Sequence, residues 1–201
     1  LYFGLTLNFS KENLLDIYFT SNQNQNKLFL NKGDFKFEDI SVKSGIQGKK
    51  AWSTGVVMVD INGDGFLDIY VLDAGNNIDA IRKSQLYINN GNSTFTEKAA
   101  EYNLADTGIT THAAFFDYDK DGDLDMYLLN HAVHNSRSYD RVNTRMLKDN
   151  AAGDYLYRND GPLTPNGGAP HFTDVSKESG IYQAAMGYGL GISVADLNND
   201  G

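Results

Sequence analysis

Two nine-residue stretches place oxygen-bearing side chains at positions 1, 3, 5 and 9. They are DINGDGFLD, residues 60–68, and DYDKDGDLD, residues 117–125. In the first, Asp60, Asn62, Asp64 and Asp68 fill these positions, and in the second Asp117, Asp119, Asp121 and Asp125 do so. Alternate side chains on a curling backbone turn toward one centre, and the glycine at position 6 (Gly65, Gly122) permits a positive-φ turn. The backbone carbonyl at position 7 (Phe66, Asp123) can add a further ligand. So many carboxylates in so short a span repel one another unless a cation holds them. Every donor is a hard oxygen, which suits Ca²⁺ better than zinc or copper, and Ca²⁺ tolerates irregular geometry better than Mg²⁺ does. An EF-hand would need a bidentate Glu at position 12, where the first loop has Val71. Asp68 is therefore expected to close the site, and Val71 to belong to a strand. The competing reading is an ion-free turn, since Asp, Asn and Gly also dominate turns.

These loops recur within a longer repeat. An acidic loop ends in LLDIYFT (14–20), FLDIYVL (66–72) and DLDMYLL (123–129). A second landmark follows as LFLNKG (28–33), LYINNG (86–91) and LYRNDG (156–161). A third follows as FEDISVKSGI (37–46), FTEKAAEYNL (95–104) and FTDVSKESGI (172–181). A fourth unit opens at GLGISVADLNNDG, 189–201, with a partial metal loop at Asp196, Asn198 and Asp200. The first loop is degenerate, with Asn8, Ser10 and Glu12 ahead of Asp16 and Asn13 in place of the glycine, so weak or absent Ca²⁺ is expected there.

Each repeat reads as four short strands. In the second repeat they are GVVMVD (55–60), LDIYVLD (67–73), SQLYINN (84–90) and TFTEK (94–98). The first is apolar and β-branched, the pattern of a strand buried on both faces. Asn90-Gly91 marks a turn. One helix is expected, over 140–151, inside an insertion at 131–154. Radially repeated four-stranded units of about 50 residues indicate an all-β fold, a β-propeller of which this chain holds about three blades and part of a fourth. Approximate blades are 1–50, 51–108, 109–186 and 187–201, and further blades or domains of the same parent chain are expected.

The 201 residues carry a formal charge of −9 and no cysteine, which disfavours nucleic acid and excludes disulfides and thiol chemistry. No apolar run is long enough for a membrane span.

The constellation resembles the FG-GAP/VCBS repeat family, the blades of integrin-α-like propellers, and within it bacterial secreted proteins of the ASPIC/UnbV-associated type. DINGDGFLDIYV (60–71), DYDKDGDLDMYLLN (117–130), LYINNGNSTFTEKA (86–99) and GYGLGISVADLNNDG (187–201) carry the resemblance. It implies that the two intact loops hold structural Ca²⁺, and that the protein is extracellular, at the cell surface or periplasmic. The Phe-Gly-Gly-Ala-Pro string that names the family is not in its strand. WSTG (52–55), THAA (111–114) and YGLG (188–191) stand there instead.

Other residues could carry more. His131 and His134 could share a transition metal. Ser136, His134 and Asp140 contain the atoms of a hydrolytic triad but lack a nucleophile elbow. Trp52 reads as core, or as a platform for a sugar. Tyr18, Tyr70 and Tyr127 follow the ninth-position Asp by two and are expected to pack between blades. The function expected is a binding, adhesion or scaffold module with a protein or carbohydrate ligand, recognised by loops at 74–84 and 131–154. The alternative is a polysaccharide-processing enzyme or its accessory domain, although no catalytic residues emerge.

Overall fold

A computed structural model describes residues 2–7 (as backbone), 14–48, 52–75, 82–132, 147–162 and 168–198. The fold is all-β, with a single four-residue helix, α1 (Ser41–Ser44), among the described residues. Twelve strands form three antiparallel four-stranded sheets, each ordered as the chain runs. The first sheet holds β1 (Tyr2–Leu7), β2 (Asp16–Ser21), β3 (Lys27–Asn31) and β4 (Phe37–Asp39). The second holds β5 (Ser53–Val59), β6 (Asp68–Asp73), β7 (Gln85–Asn89) and β8 (Phe95–Glu97). The third holds β9 (Thr110–Phe116), β10 (Asp125–Asn130), β11 (Tyr155–Pro162) and β12 (Pro170–Asp174). Each metal-type loop joins the first strand of its sheet to the second.

In the second sheet the strands buried on both faces are the interior two, β6 and β7, every residue of which is buried. The sequence pattern assigned that place to GVVMVD, yet β5 is only half-buried at Thr54 to Met58. The reason is position: β5 is an edge strand, so its apolar residues lack a neighbour on one side, whereas β6 lies between β5 and β7. Hydrophobic residues from neighbouring sheets merge into shared cores. Tyr18, Leu28 and Ile46 of the first repeat pack with Ile69, Val71 and Tyr87 of the second. Tyr70, Leu72 and Leu86 pack with Met126, Leu128 and Phe172 of the third.

The three landmarks become three recurring contacts. Asp39 Oδ1 accepts from the Ser41 amide (3.0 Å), and Ser41 Oγ accepts from the Leu28 amide (2.9 Å). Asp174 and Ser176 repeat this on Leu156. In the second repeat Ala99 replaces the serine, and the longer Glu97 reaches both the Ala99 and Leu86 amides itself. Buried Tyr18 and Tyr70 donate their phenols to the carbonyls of Ile46 (3.3 Å) and Leu104 (2.8 Å), tying each second strand to the linker that leaves its sheet. Tyr127 departs from this role. It is half-buried, and its phenol donates to Asp154, a residue of the insertion (3.1 Å).

Two expectations need correction. Most of the helix expected over 140–151 lies outside the described residues. The described remainder, 147–151, is bridge and turn, because Asp149 Oδ1 accepts from the amides of Ala151 and Ala152 while Lys148 bridges Ala184. Trp52 is not core: it is 53% exposed, at the start of the edge strand β5. The fourth unit forms no strand over its described residues, 187–198. It still lies along the third sheet, with Ala132 N donating to Gly187 O (2.7 Å) and Ile192 N to His112 Nδ1 (3.0 Å).

Candidate metal centre

The two intact loops fold alike because the same side chains bond the same amides. Asp60 accepts from the amides of Asp64 (3.0 Å) and Gly65 (2.9 Å), and Asp117 accepts from those of Asp121 (3.2 Å) and Gly122 (3.0 Å). Position 5 then turns the chain back, with Asp64 accepting from Phe66 N (2.8 Å) and Asp121 from Asp123 N (3.1 Å). Gly65 and Gly122 take φ of 83° and 98°, the left-handed turn expected at position 6. Position 4 is left-handed too, at Gly63 (69°) and Lys120 (63°). Sequence reasoning missed this second bend, since Lys gives no hint of it.

Position 9 behaves differently from the rest. Asp68 and Asp125 are fully buried. One oxygen of each accepts from the loop: Ile61 N to Asp68 (3.1 Å) and Tyr118 N to Asp125 (2.9 Å). The other accepts from the third strand: Asn89 N to Asp68 and Asn159 N to Asp125, both 2.8 Å. The asparagines reciprocate. Their side-chain amides donate to Leu67 O (3.1 Å) and Leu124 O (3.3 Å), and their Oδ1 atoms accept from Gly91 N (2.9 Å) and Gly161 N (3.0 Å). In the degenerate repeat, buried Asp16 still accepts from Asn31 N (2.8 Å), and Asn31 still bonds Leu15 O and Gly33 N. The Asn of the LYxNxG landmark thus clamps the ninth-position Asp to the third strand. Its signal lay in the recurring Asn and Gly, which sequence reading used only as a landmark of the repeat.

In the second loop, carboxylate oxygens of Asp117, Asp119 and Asp125 all lie within 4.8 Å of one another. Two ligands on opposite sides of an ion, each about 2.4 Å from it, would be about 4.8 Å apart, so this spacing fits Ca²⁺. Among the described residues no other trio of acidic or imidazole groups gathers so closely. In the first loop Asn62 Nδ2 donates to Asp64 Oδ2 (3.0 Å), so Asp64 is turned toward Asn62. Burial, reinforced by Asp64 and Asp60, pushes the Asp68 carboxyl up to about 7. Burial likewise raises Asp125, and raises Asp123 to about 6, where Asp121 and Asp125 add to it. A buried carboxylate raised by its acidic neighbours is one that a cation would stabilise.

Asp196 and Asn198 are exposed and outside any strand. Asp200, Asn8, Ser10 and Glu12 lie outside the described residues, as do His134, Ser136 and Asp140. The ring of His131 packs edge-on against Tyr188, with centroids 5.0 Å apart.

A family model described as an FG-GAP-like repeat matches residues 12–71 and 74–128, more than half of the chain. No curated protein matches it.

Proposed function

The chain belongs to the FG-GAP-like repeat family, and we propose that it is a calcium-stiffened part of an extracellular or cell-surface β-propeller that binds a protein or carbohydrate ligand. The observation that carries this reading is the convergence of Asp117, Asp119 and Asp125 oxygens within 4.8 Å at a loop of hard donors. Asp117, Asp119, Asp121, the Asp123 carbonyl and Asp125 would hold one ion. Asp60, Asn62, Asp64, the Phe66 carbonyl and Asp68 would hold another. Bound Ca²⁺ would supply positive charge to carboxylates that otherwise repel. Asp68 and Asp125 would pass that restraint to the third strand through Asn89 and Asn159. Free Ca²⁺ outside cells fills sites of only moderate affinity, which supports an extracellular setting.

The propeller reading rests on three sheets of one topology that share cores face to face. Further blades of the parent chain are part of the proposal. Leu190, Val194 and Leu197 are at least half exposed, in a segment equivalent to the start of a repeat.

The test is calorimetric Ca²⁺ titration of the wild type beside Asp64→Ala and Asp121→Ala. Each substitution should remove one binding event and reduce the Ca²⁺-dependent rise in Tm. Identical behaviour of the three proteins would overturn the metal assignment.

A further inference from the structure

At the ends of the sheets opposite the metal loops, a cleft of about 570 Å³ with mixed polar and apolar walls opens between the linker leaving the first sheet and the body of the second. That volume falls within the ordinary range for small-molecule sites. Gln25, Gln47 and Gln85 bring three primary amides to its wall. Each amide offers both a donor and an acceptor, the complement of a hydroxyl that does the same. Lys83 and Glu97 contribute one charge of each sign, so the cleft has no ionic preference. Short side chains, Ala99 and Ala105 among them, leave an apolar strip on the wall. Buried Ser84 also lines it. Its Oγ lies near the Tyr70 phenol, which already donates to Leu104 O, and finds no partner of hydrogen-bonding geometry.

The cleft stays open because of two residues, and the next repeat shows what closes it. Gly48 has φ 67°, and a Cβ there would sit 2.8 Å from Gln85 Oε1 and 3.3 Å from the Tyr87 hydroxyl. At the equivalent linker position one repeat on stands Asp106, which accepts from the Tyr157 phenol (3.1 Å). At the position of Gln85 stands Tyr155, its ring stacked on Tyr157 with centroids 5.6 Å apart. The same architecture is therefore filled with aromatic and acidic groups in one place, and lined with amides in the other.

Resting on the reading of the protein as a binding module, we propose that this cleft binds a neutral saccharide unit, its hydroxyls paired with the amides of Gln25, Gln47 and Gln85 and its C–H face set on the apolar strip.

The experiment is NMR and calorimetric titration of the full chain in millimolar Ca²⁺ with glucose, galactose, N-acetylglucosamine, cellobiose and lactose. At least one should bind with a Kd of about 1 mM or tighter, and Gln85→Tyr, Gln47→Ala and Gln25→Ala should each weaken it about tenfold. Gln47→Ala and Gln25→Ala alter partly or fully exposed side chains, so they keep the test valid if Gln85→Tyr fails to fold. The proposal is overturned if no saccharide binds, if binding ignores all three substitutions, or if a charged peptide displaces the sugar from the cleft. The Ca²⁺ response of Tm, read without sugar on the same samples, separates failure of this proposal from failure of the calcium reading.

Discussion

Two demands on Asp68 pull against each other. It is buried where it accepts from the amides of Ile61 and Asn89, and it would have to be ionised to hold the proposed cation. Burial first, then Asp64 and Asp60, raise it to about 7. An ordinary Asp in the unfolded chain titrates near 3.9. A folded value above the unfolded one means that the folded state holds the proton more tightly. Without metal, this group's contribution to stability is therefore complete below about pH 4 and is lost as pH rises through about 7. Asp123, raised to about 6, adds a loss of the same sign. Metal replaces the proton in that balance. Thermal melts in chelator should thus show Tm falling between about pH 4 and 7, and Asp68→Asn should flatten the slope, because its amide cannot ionise. With saturating Ca²⁺ the wild-type fall should disappear. A wild-type slope that is the same with and without Ca²⁺ would separate this carboxylate from any ion.

The hairpin around each loop is held by an element that needs no metal. Asp–Asn–Gly clamps recur in all three sheets, including the one whose loop lacks the acidic residues at positions 1 and 3. The second strand is thus tied to the third whether or not an ion is bound. Asn89→Ala removes the partners of Leu67 O and Gly91 N. It should cost about 1–3 kcal/mol, the penalty for stranding hydrogen-bonding groups that are partly buried. Because the loop keeps its carboxylates, this loss should appear equally in urea unfolding with Ca²⁺ and with chelator. Asp121→Ala should instead matter only with Ca²⁺. A large Ca²⁺ dependence of the Asn89→Ala penalty would make the clamp part of the ion site.

How much of this was legible in the sequence depends on how far each contact reaches. The loops were legible because positions 1, 5 and 6 bond within a handful of residues, and composition at that range is decisive. The strands were legible for the same reason, to within a residue or two in the second repeat. The clamp was half legible: Asp68 was marked as a closing ligand, but its partner Asn89 is 21 residues away and read only as a strand residue in a repeat landmark. Burial was misjudged where it depended on sheet order. Val56 and Val57 carry the same β-branched signal as Val71, yet an edge strand half-exposes the first two while the interior strand buries the third. Trp52 failed likewise, since nothing local says that β5 begins at a rim.

Across the whole molecule, the sheets are joined by a contact that no single repeat contains. The first strands of the second and third sheets each bulge at a threonine, Thr54 in β5 and Thr111 in β9. The Thr54 hydroxyl lies 3.1 Å from Leu72 O in its own sheet and 2.6 Å from Thr110 O in the next. The Thr111 hydroxyl lies 3.3 Å from Leu129 O in its own sheet and 2.8 Å from Gly189 O in the following segment. The approach is close enough that a Cβ on Gly55 would fall 2.7 Å from Thr111 O. In both joints the threonine stands six residues before its loop, and the accepted carbonyl stands seven before the next, so 187–198 keeps the repeat register without forming a strand. Thr54→Val preserves shape and removes only the hydroxyl, whose single proton lies between the two carbonyls. It should cost about 1–2 kcal/mol, by the usual net worth of such bonds. Trp52, the only tryptophan, lies two residues away. Its fluorescence in urea should therefore report loosening at this joint before far-UV circular dichroism reports loss of the sheets. Coincident transitions in Thr54→Val, as in a single cooperative unit, would show that the shared apolar cores alone couple the sheets.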